Sequence, residues 1–114
     1  TDDELIAACT RVGLDLSDTQ SFPLGLNTPI NVTTGVSTGQ RRRLAFARTL
    51  LLDRDIVILD EPSAAVDRIT EEIITREIQK LVEQGKLVIV VAHRPQMIAA
   101  GTHIVRMDEL SVAP

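Results

Sequence analysis

The stretch Ile56-Val57-Ile58-Leu59-Asp60-Glu61-Pro62 indicates the fold of this 114-residue chain. Its apolar, largely β-branched residues end in two adjacent carboxylates, a pattern typical of a buried strand in a parallel sheet. Open α/β sheets bind their ligands at the C-terminal edge of such strands. Because two buried carboxylates without partners would cost considerable free energy, this edge is predicted to hold a cation or a reacting water molecule.

A second stretch, Val36-Ser37-Thr38-Gly39-Gln40-Arg41-Arg42-Arg43, is predicted to open a helix. Ser37 is the expected N-cap, and the helix is expected from Arg41 to Leu52. A small Ser-Thr-Gly step at this point offers free backbone N–H groups at the positive end of the helix dipole, which suits a phosphate. Carboxylates for Mg²⁺ on one side and an anion site on the other predict nucleoside-triphosphate chemistry.

Four motifs together resemble those of the ATP-binding-cassette (ABC) ATPases. Val36 to Gln40 is similar to the signature motif of that family, usually Leu-Ser-Gly-Gly-Gln, and Ile56 to Glu61 resembles its Walker B strand with the catalytic glutamate. Ser63 to Asp67 is similar to the D-loop, and His93 to the switch histidine. The motifs follow the family order and cover nearly the whole chain, but only the second half of such a domain.

The resemblance implies an α/β fold, specifically a partial P-loop NTPase (ABC ATPase) fold. It would comprise the C-terminal half of the RecA-like core and part of the helical subdomain. Residues 1–52 would form the end of the helical subdomain, with the signature motif and its helix. Residues 53–114 would form the C-terminal part of the core, with the Walker B strand, the D-loop and the switch histidine.

The resemblance also implies roles at the edge of the sheet. Asp60 would hold Mg²⁺ through water, since Mg²⁺ keeps several waters and binds few carboxylates. Glu61 would orient or deprotonate the attacking water, and His93 would contact that water and the γ-phosphate. The plainer alternatives are that the acidic pair only caps the following turn and that His93 is structural.

The signature residues would contact the γ-phosphate of ATP bound to the partner domain, not of ATP bound to their own: Ser37, Thr38, Gly39 and Gln40. Thr38 replaces the first glycine of the usual motif, and its side chain would restrict the approach of the backbone to phosphate. Asp67 would lie at the dimer interface, in the D-loop that links one ATP site to the other, or would simply cap the next helix, or would do both.

Composition excludes several other classes of protein. The chain is 44% hydrophobic and 25% charged, as in ordinary globular proteins, and its net charge of −4 argues against a general nucleic-acid or anionic-membrane surface. Cys9 is the single cysteine, so an internal disulfide is impossible, and we expect it to be a small apolar residue on a helix face. The longest apolar run, Leu87 to Ala92, is far shorter than the ~20 residues that span a bilayer.

Periodicity and capping signals predict the remaining elements. A first helix is expected to begin with Thr1 or Asp2 as N-cap and to end at Gly13. Asp67 is expected to cap a helix that runs to about Gln84. The residues of its buried stripe are predicted to be Ile69, Ile73, Ile74, Ile78, Leu81 and Val82. The elements predicted to follow are a buried strand at Leu87 to Ala92, a short helix from Arg94-Pro95 to Ala100, an outer strand at His103 to Met107, and a frayed tail from Asp108 to Pro114.

Two further stretches leave alternatives open. Arg41 to Arg43 form a basic cluster that either is solvated, or holds acidic groups of the domain, or guides an anionic phosphate. Asp15 to Gly35 is irregular, and within it Thr28 to Val32 only loosely resembles the Thr-x-Val-Gly-Glu segment of the family's exporters. No aromatic residues are interleaved with the arginines, so a nucleic-acid platform is not expected.

Several family features do not occur in the sequence. There is no G-x-x-x-x-G-K-[ST] phosphate loop, and the two aromatic residues, Phe22 and Phe46, offer no evident platform for adenine. Because the chain begins at Thr1 and not at Met, we expect it to be a piece of a longer protein. Alone it is expected neither to bind ATP tightly nor to hydrolyse it, and its incomplete sheet is expected to expose an edge prone to self-association.

The favoured hypothesis is the C-terminal part of the nucleotide-binding domain of an ABC exporter, using ATP and Mg²⁺. Gly35 to Arg43 and Val91 to Pro95 resemble the thiol-reductant (cysteine/glutathione) exporters tied to cytochrome bd assembly. The implied partners are a second nucleotide-binding domain and a transmembrane domain, without nucleic acid, at the cytoplasmic face of the bacterial inner membrane. The alternatives are a soluble ABC ATPase acting on nucleic acid or the ribosome, and a non-catalytic interaction or regulatory domain.

Overall fold

Two parallel strands joined by a helix form the centre of the structure, a computed structural model that describes residues 1–31 and 35–110. The elements in chain order are α1 (Asp2–Arg11), α2 (Thr38–Leu52), β1 (Ile56–Asp60), α3 (Arg68–Glu83), β2 (Leu87–Val91) and α4 (Pro95–Ala99), with 3₁₀ turns at Gly25–Asn27 and Met107–Glu109. β1 and β2 pair in parallel from Ile56↔Leu87 to Asp60↔Val91. The crossover through α3 makes this a β-α-β unit.

The helix boundaries follow the capping signals of the sequence. Thr1 forms a capping box with Glu4 at the start of α1. At its end Gly13 has a φ of +76°, its N–H donates to the Thr10 carbonyl at 3.0 Å, and the Leu14 N–H donates to the Cys9 carbonyl at 2.9 Å. These two bonds form a Schellman motif, which requires the left-handed conformation that glycine adopts readily. Of the two predicted N-caps the structure has Thr1, and the predicted C-cap Gly13 lies one residue beyond the observed C-cap, Val12.

The hydrophobic core lies between the helices and one face of the sheet. Its most deeply buried side chains are Val12 directly after α1, Phe46 of α2 and Ile74 of α3. Val57 and Leu59 of β1 contribute to this core from the sheet. Cys9 is buried at the edge of this core as a free thiol, as expected, and burial raises its pKa.

An ion pair fastens α1 to α3. Arg11 donates to Glu77 Oε2 from Nε at 3.0 Å and from Nη2 at 2.8 Å, and Lys80 Nζ lies 2.8 Å from Glu77 Oε1. The Glu77 side chain is 5% exposed. A buried carboxylate is tolerated only with charged or hydrogen-bonding partners, and the two cations supply them here.

The sequence predicted two buried strands, but the structure leaves one face of the sheet exposed. Val57 and Leu59 are buried, but Ile58 is 68% exposed and Leu87 is 57% exposed. The prediction was wrong because a parallel strand is fully buried only when helices cover both faces of its sheet, and the described helices cover one. The same exposed face and edges agree with the incomplete sheet that was expected.

The predicted buried stripe of α3 is only partly correct. Ile74, Ile78 and Leu81 are buried, whereas Ile69 is 72% exposed and Val82 is also exposed. Two glutamates take buried positions on this helix instead, because each has a cationic partner: Glu71 and Glu77.

The outer strand predicted at His103 to Met107 does not form. Within residues 1–31 and 35–110 the sheet has two strands, and Ile104 and Val105 are exposed beside a 3₁₀ turn. A strand requires hydrogen bonds from a neighbouring strand, and none lies alongside this segment. From position 111 on, the predicted frayed tail lies outside the described residues. Val32, the last residue of the segment that loosely resembles the exporters, also lies outside them.

The predicted division between residues 52 and 53 falls at the C-terminal end of α2. α1 packs on both α2 and α3, so the described parts of the two regions share one core. The division into domains therefore stays a prediction. None of the described helices is long and apolar enough to cross a membrane.

We expect Gly13→Ala to lower the free energy of unfolding by about 2 kcal/mol and Gly85→Ala by about 1 kcal/mol. Both glycines have positive φ, +76° and +84°. An added methyl group at Gly13 would meet Thr70 Cγ2 at 3.3 Å, whereas at Gly85 it would meet nothing within 4 Å. Urea denaturation followed by circular dichroism measures both losses. Equal losses would contradict a steric contribution from Thr70.

Candidate functional site

The candidate site begins with a strained turn after β1. Glu61, directly after Asp60, has a φ of +46°, and Ala65 has a φ of +59°. The Glu61 N–H donates to the Val91 carbonyl at 2.8 Å, which continues the pairing of β1 with β2 by one residue. Non-glycine residues in the left-handed region cost about 1–3 kcal/mol each and persist where the surrounding structure holds them, often at functional sites.

Glu61 lies between an imidazole and a guanidinium. His93 Nε2 is 3.0 Å from Glu61 Oε1, and Arg42 Nη1 is 3.8 Å from Glu61 Oε2. The Glu61 side chain is 34% exposed and that of His93 is 79% exposed, so water and a ligand can reach both. A carboxylate in this setting can orient a water molecule and accept its proton. The sequence correctly predicted that His93 lies beside the acidic pair, and the two catalytic roles stay predictions.

Asp60 offers a single accessible carboxylate at the same edge. It is exposed, and residues 1–31 and 35–110 contain no group of three or more histidine, cysteine or acidic side chains that could hold a metal. Mg²⁺ at phosphate sites takes one or two carboxylates and completes its shell with water and phosphate oxygens. Asp60 therefore fits the part of one protein ligand, directly or through water.

A cleft opens beside this edge, but it is small. It measures about 70 Å³ and its lining comprises Glu61, Pro62, Ser63, Ala64, Ala92, His93 and Arg94. Pockets that bury a drug-sized ligand typically measure ≈ 300–1,000 Å³. The described residues thus form a shallow cleft at this edge and not an enclosed pocket.

The signature residues form the first turn of α2, which begins at Thr38 and not at Arg41 as predicted. Ser37 and Gln40 form a capping box: Ser37 Oγ accepts from the Gln40 N–H at 3.1 Å, and Gln40 Oε1 accepts from the Ser37 N–H at 2.7 Å. Gln40 Nε2 donates to Ser21 Oγ at 3.0 Å. Both ends of the Gln40 side chain are therefore engaged. The groups left for a phosphate are the Ser37 hydroxyl hydrogen and the first N–H groups of the helix, at Thr38 and Gly39.

Gly39 brings this helix end against the turn after β1. A Cβ atom at position 39 would meet the carbonyl oxygens of Ala64 and Ala65, each at 3.4 Å. Gly39 is buried, whereas Thr38 is exposed. The role of Gly39 that is visible in this structure is close packing on the turn, and its predicted contact with ATP stays a prediction.

Asp67 caps α3 as predicted. Its carboxylate accepts from the Thr70 N–H at 2.7 Å. Hydrogen bonds from Thr70, with a smaller contribution from the charge of Arg43, hold the pKa of Asp67 below its usual value. The capping role is thus observed, and the role at a dimer interface stays a prediction.

The basic cluster is occupied by contacts within the chain. Arg41 donates to the Asn31 carbonyl, Arg42 pairs with Glu61, and Arg43 Nη1 donates to the Gly13 carbonyl at 2.7 Å. Burial lowers the pKa of Arg43. The sequence left open whether the cluster is solvated, holds acidic groups or guides a phosphate. Arg42 holds an acidic group, Glu61.

Sequence reasoning missed Arg94, which it treated only as the start of α4. Arg94 Nη1 donates to the carbonyls of Ser63 and Val66 and approaches Glu71 at 3.4 Å. The signal that could have indicated such a contact was Glu71, because an acidic residue at an interior position of α3 needs a cationic partner.

Comparisons with known proteins identify the family. Residues 2–64 match the model of the family described as ABC transporter. The mitochondrial ATP-dependent permease MDL1 of Saccharomyces cerevisiae is 40% identical over 86 residues, 75% of this chain and 12% of that protein. The ATP-dependent lipid A-core flippase of Neisseria meningitidis serogroup B is 39% identical over 90 residues, covering 78% of this chain and 14% of the flippase.

A third relative matches almost the whole chain. The heterocyst differentiation ATP-binding protein HepA of Nostoc is 39% identical over 106 residues, 91% of this chain and 17% of that protein. The chain thus spans less than a fifth of the length of each of these relatives. The family implies the P-loop NTPase fold, of which the small mixed helix and strand structure described above is consistent with a part. The chain belongs to the ABC transporter family, within its ATP-binding domain.

Proposed function

We propose that this chain is the second half of a nucleotide-binding domain that hydrolyses ATP to drive export by an ABC transporter. The observation that carries the proposal is the Glu61–His93 pair at 3.0 Å, beside Asp60 at the C-terminal edge of two parallel strands. Relatives named as a flippase and a permease support transport over the nucleic-acid alternative. The arginines of the basic cluster are also engaged within the chain, which leaves them poorly placed for nucleic acid.

Each residue at the edge has a defined part in this chemistry. Mg²⁺, when bound, would neutralise charge on the phosphates, and Asp60 would hold it through water. Glu61 would orient the attacking water and accept its proton. His93 would fix the Glu61 carboxylate from one side and contact the γ-phosphate, while Arg42 restrains the other carboxylate oxygen.

The signature turn would complete the ATP site of a second nucleotide-binding domain. The Ser37 hydroxyl and the N–H groups of Thr38 and Gly39 would bind the γ-phosphate at the positive end of α2. Gln40 would act mainly by holding Ser37 in its capping box. The further partner is a transmembrane domain, and we place the chain at the cytoplasmic face of the bacterial inner membrane.

The exported substrate is proposed on narrower grounds. Export of thiol reductants such as cysteine or glutathione rests only on the likeness of Gly35 to Arg43 and Val91 to Pro95 to that group of exporters. The names of the relatives cited above point to no thiol compound.

A non-catalytic role is the second candidate. The observation that favours it is the signature turn, where Thr38 replaces a glycine and both ends of the Gln40 side chain are bound within the chain. The first experiment below separates it from the ATPase.

We expect Glu61→Gln to lower kcat for ATP hydrolysis by about 10²–10⁴-fold in the transporter that contains this chain, because the amide cannot accept a proton. Binding of ATP should persist. Phosphate release gives kcat, and equilibrium binding of a fluorescent ATP analogue gives affinity. The matched control is Glu72→Gln on the exposed side of α3. Unchanged turnover in Glu61→Gln would remove Glu61 from the mechanism and favour the non-catalytic candidate.

We expect the isolated chain to bind MgATP no more tightly than ~1 mM, since its described residues form one wall of a site. Isothermal titration calorimetry measures this affinity. Cooperative unfolding of the same sample verifies that the chain is folded. Micromolar binding would contradict the proposal that the chain is an incomplete half.

A further inference from the structure

Arg94 ties the turn after β1 to helix α3. Its Nη1 donates to the Ser63 carbonyl at 2.9 Å and to the Val66 carbonyl at 3.2 Å, and it lies 3.4 Å from Glu71 Oε2. One guanidinium nitrogen thus contacts three groups on two elements. The geometry is that of a clamp on the turn from Glu61 to Asp67.

Two of the groups that Arg94 contacts, the Glu71 carboxylate and the carbonyl of the buried Ser63, would lose free energy without a partner. The Glu71 side chain is 7% exposed, and its Oε1 lies 3.5 Å from the hydroxyl of Ser63, which is also buried. A buried carboxylate without a cation and a buried carbonyl without a donor both lose free energy of hydration. Arg94 supplies the cation and the donor from one side chain, so these groups favour the clamped conformation.

The turn needs such a clamp because its backbone is strained. Ala65, with a φ of +59°, lies between the two carbonyls that Arg94 holds, and Glu61 at the start of the turn has a φ of +46°. Alanine gains nothing locally from the left-handed conformation, so contacts from outside must maintain it. Gly39 of α2 packs on the same turn at Ala64 and Ala65, and Arg94 bonds to the carbonyls on either side of these two residues.

Arg94 also follows His93 directly in the chain. Its backbone is extended, with φ −78° and ψ 132°, and Pro95 at the start of α4 restricts that conformation further. An anchor on the Arg94 side chain therefore limits where the neighbouring His93 backbone can lie. Since Glu61 opens the clamped turn, the anchor lies next in the chain to one member of the Glu61–His93 pair and on the turn that begins with the other.

We propose that Arg94 is a positioning residue that holds Glu61 and His93 in register through the turn from Glu61 to Asp67. This inference rests on the proposed function, because its consequence is an effect on ATP hydrolysis. In this proposal Arg94, although it lines the cleft, acts through its bonds to the turn and to Glu71 and not by contact with nucleotide or attacking water. Its loss is expected to lower the rate of the chemical step more than the affinity for ATP.

The first arm of the test measures catalysis. In the transporter that contains this chain, Arg94→Met keeps the apolar stem and removes the charge, and it should lower kcat about tenfold while KM for ATP stays within about twofold. Arg94→Lys restores a cation and should recover a large part of kcat. The matched control is Arg68→Met, whose side chain is 85% exposed and pairs only with Glu72 among the described residues.

The second arm measures the turn itself, in the 114-residue chain. The Ala64 N–H donates to the Glu61 carbonyl at 3.1 Å within the turn, and the Leu14 N–H donates to the Cys9 carbonyl at the distant end of α1. Hydrogen exchange by NMR should be about tenfold faster at Ala64 in Arg94→Met and unchanged at Leu14. Arg68→Met should change neither amide.

A lower kcat together with faster exchange confined to Ala64 supports the inference. An unchanged kcat, an unchanged Ala64 amide, or equal acceleration at Ala64 and Leu14 overturns it, the last because it would reflect general destabilisation. A transporter that hydrolyses no ATP before any substitution would overturn the proposed function, and this inference with it. An active transporter that is insensitive to Arg94→Met would overturn this inference alone.

Discussion

The parallel pairing of β1 with β2 is the constraint on which the site depends. Asp60 pairs with Val91 at the last position of the register, and the Glu61 N–H bonds to the Val91 carbonyl beyond it. Glu61 and His93 therefore leave the sheet at the same edge, with no long side chain or mobile loop needed to join them. A slip of one residue would turn every side chain of a strand to the opposite face and separate the pair.

Helix α3 supports this edge through two buried glutamates that do different work. Glu77 binds Arg11 and so fixes α1 on the core, whereas Glu71 binds Arg94 and so fixes the turn at the site. Each carboxylate is buried beside a cation from another part of the chain, and Glu77 also has Lys80 of its own helix. An ion pair with a buried glutamate of α3 therefore stabilises helix packing at Glu77 and the turn at the candidate site at Glu71.

The described residues bring several groups of the proposed ATPase site together at one edge of the sheet. Glu61 has His93 and Arg42 on its two carboxylate oxygens, and Gly39 packs the signature turn on the loop that follows. Asp60 lies exposed next to Glu61 at the end of β1. The face of the sheet that the described helices leave uncovered, which includes Ile58 and Leu87, is largely apolar and exposed. Family membership and the short span of the chain in its relatives agree with a domain of which the described residues are a part.

The sequence by itself determined the two strands and the three longer helices, with the residues that cap them at Gly13, Ser37 and Asp67. Capping and helical periodicity depend on residues within about one helical turn of each other, so a local stretch of sequence is enough to predict them. Strand order also placed His93 beside Glu61. Tertiary structure alone decided the contacts of Arg42, Gln40 and Arg94, the exposed face of the sheet and the failure of the outer strand at His103 to Met107. These depend on which distant element packs alongside, and a local pattern carries no information about a partner far away in the chain.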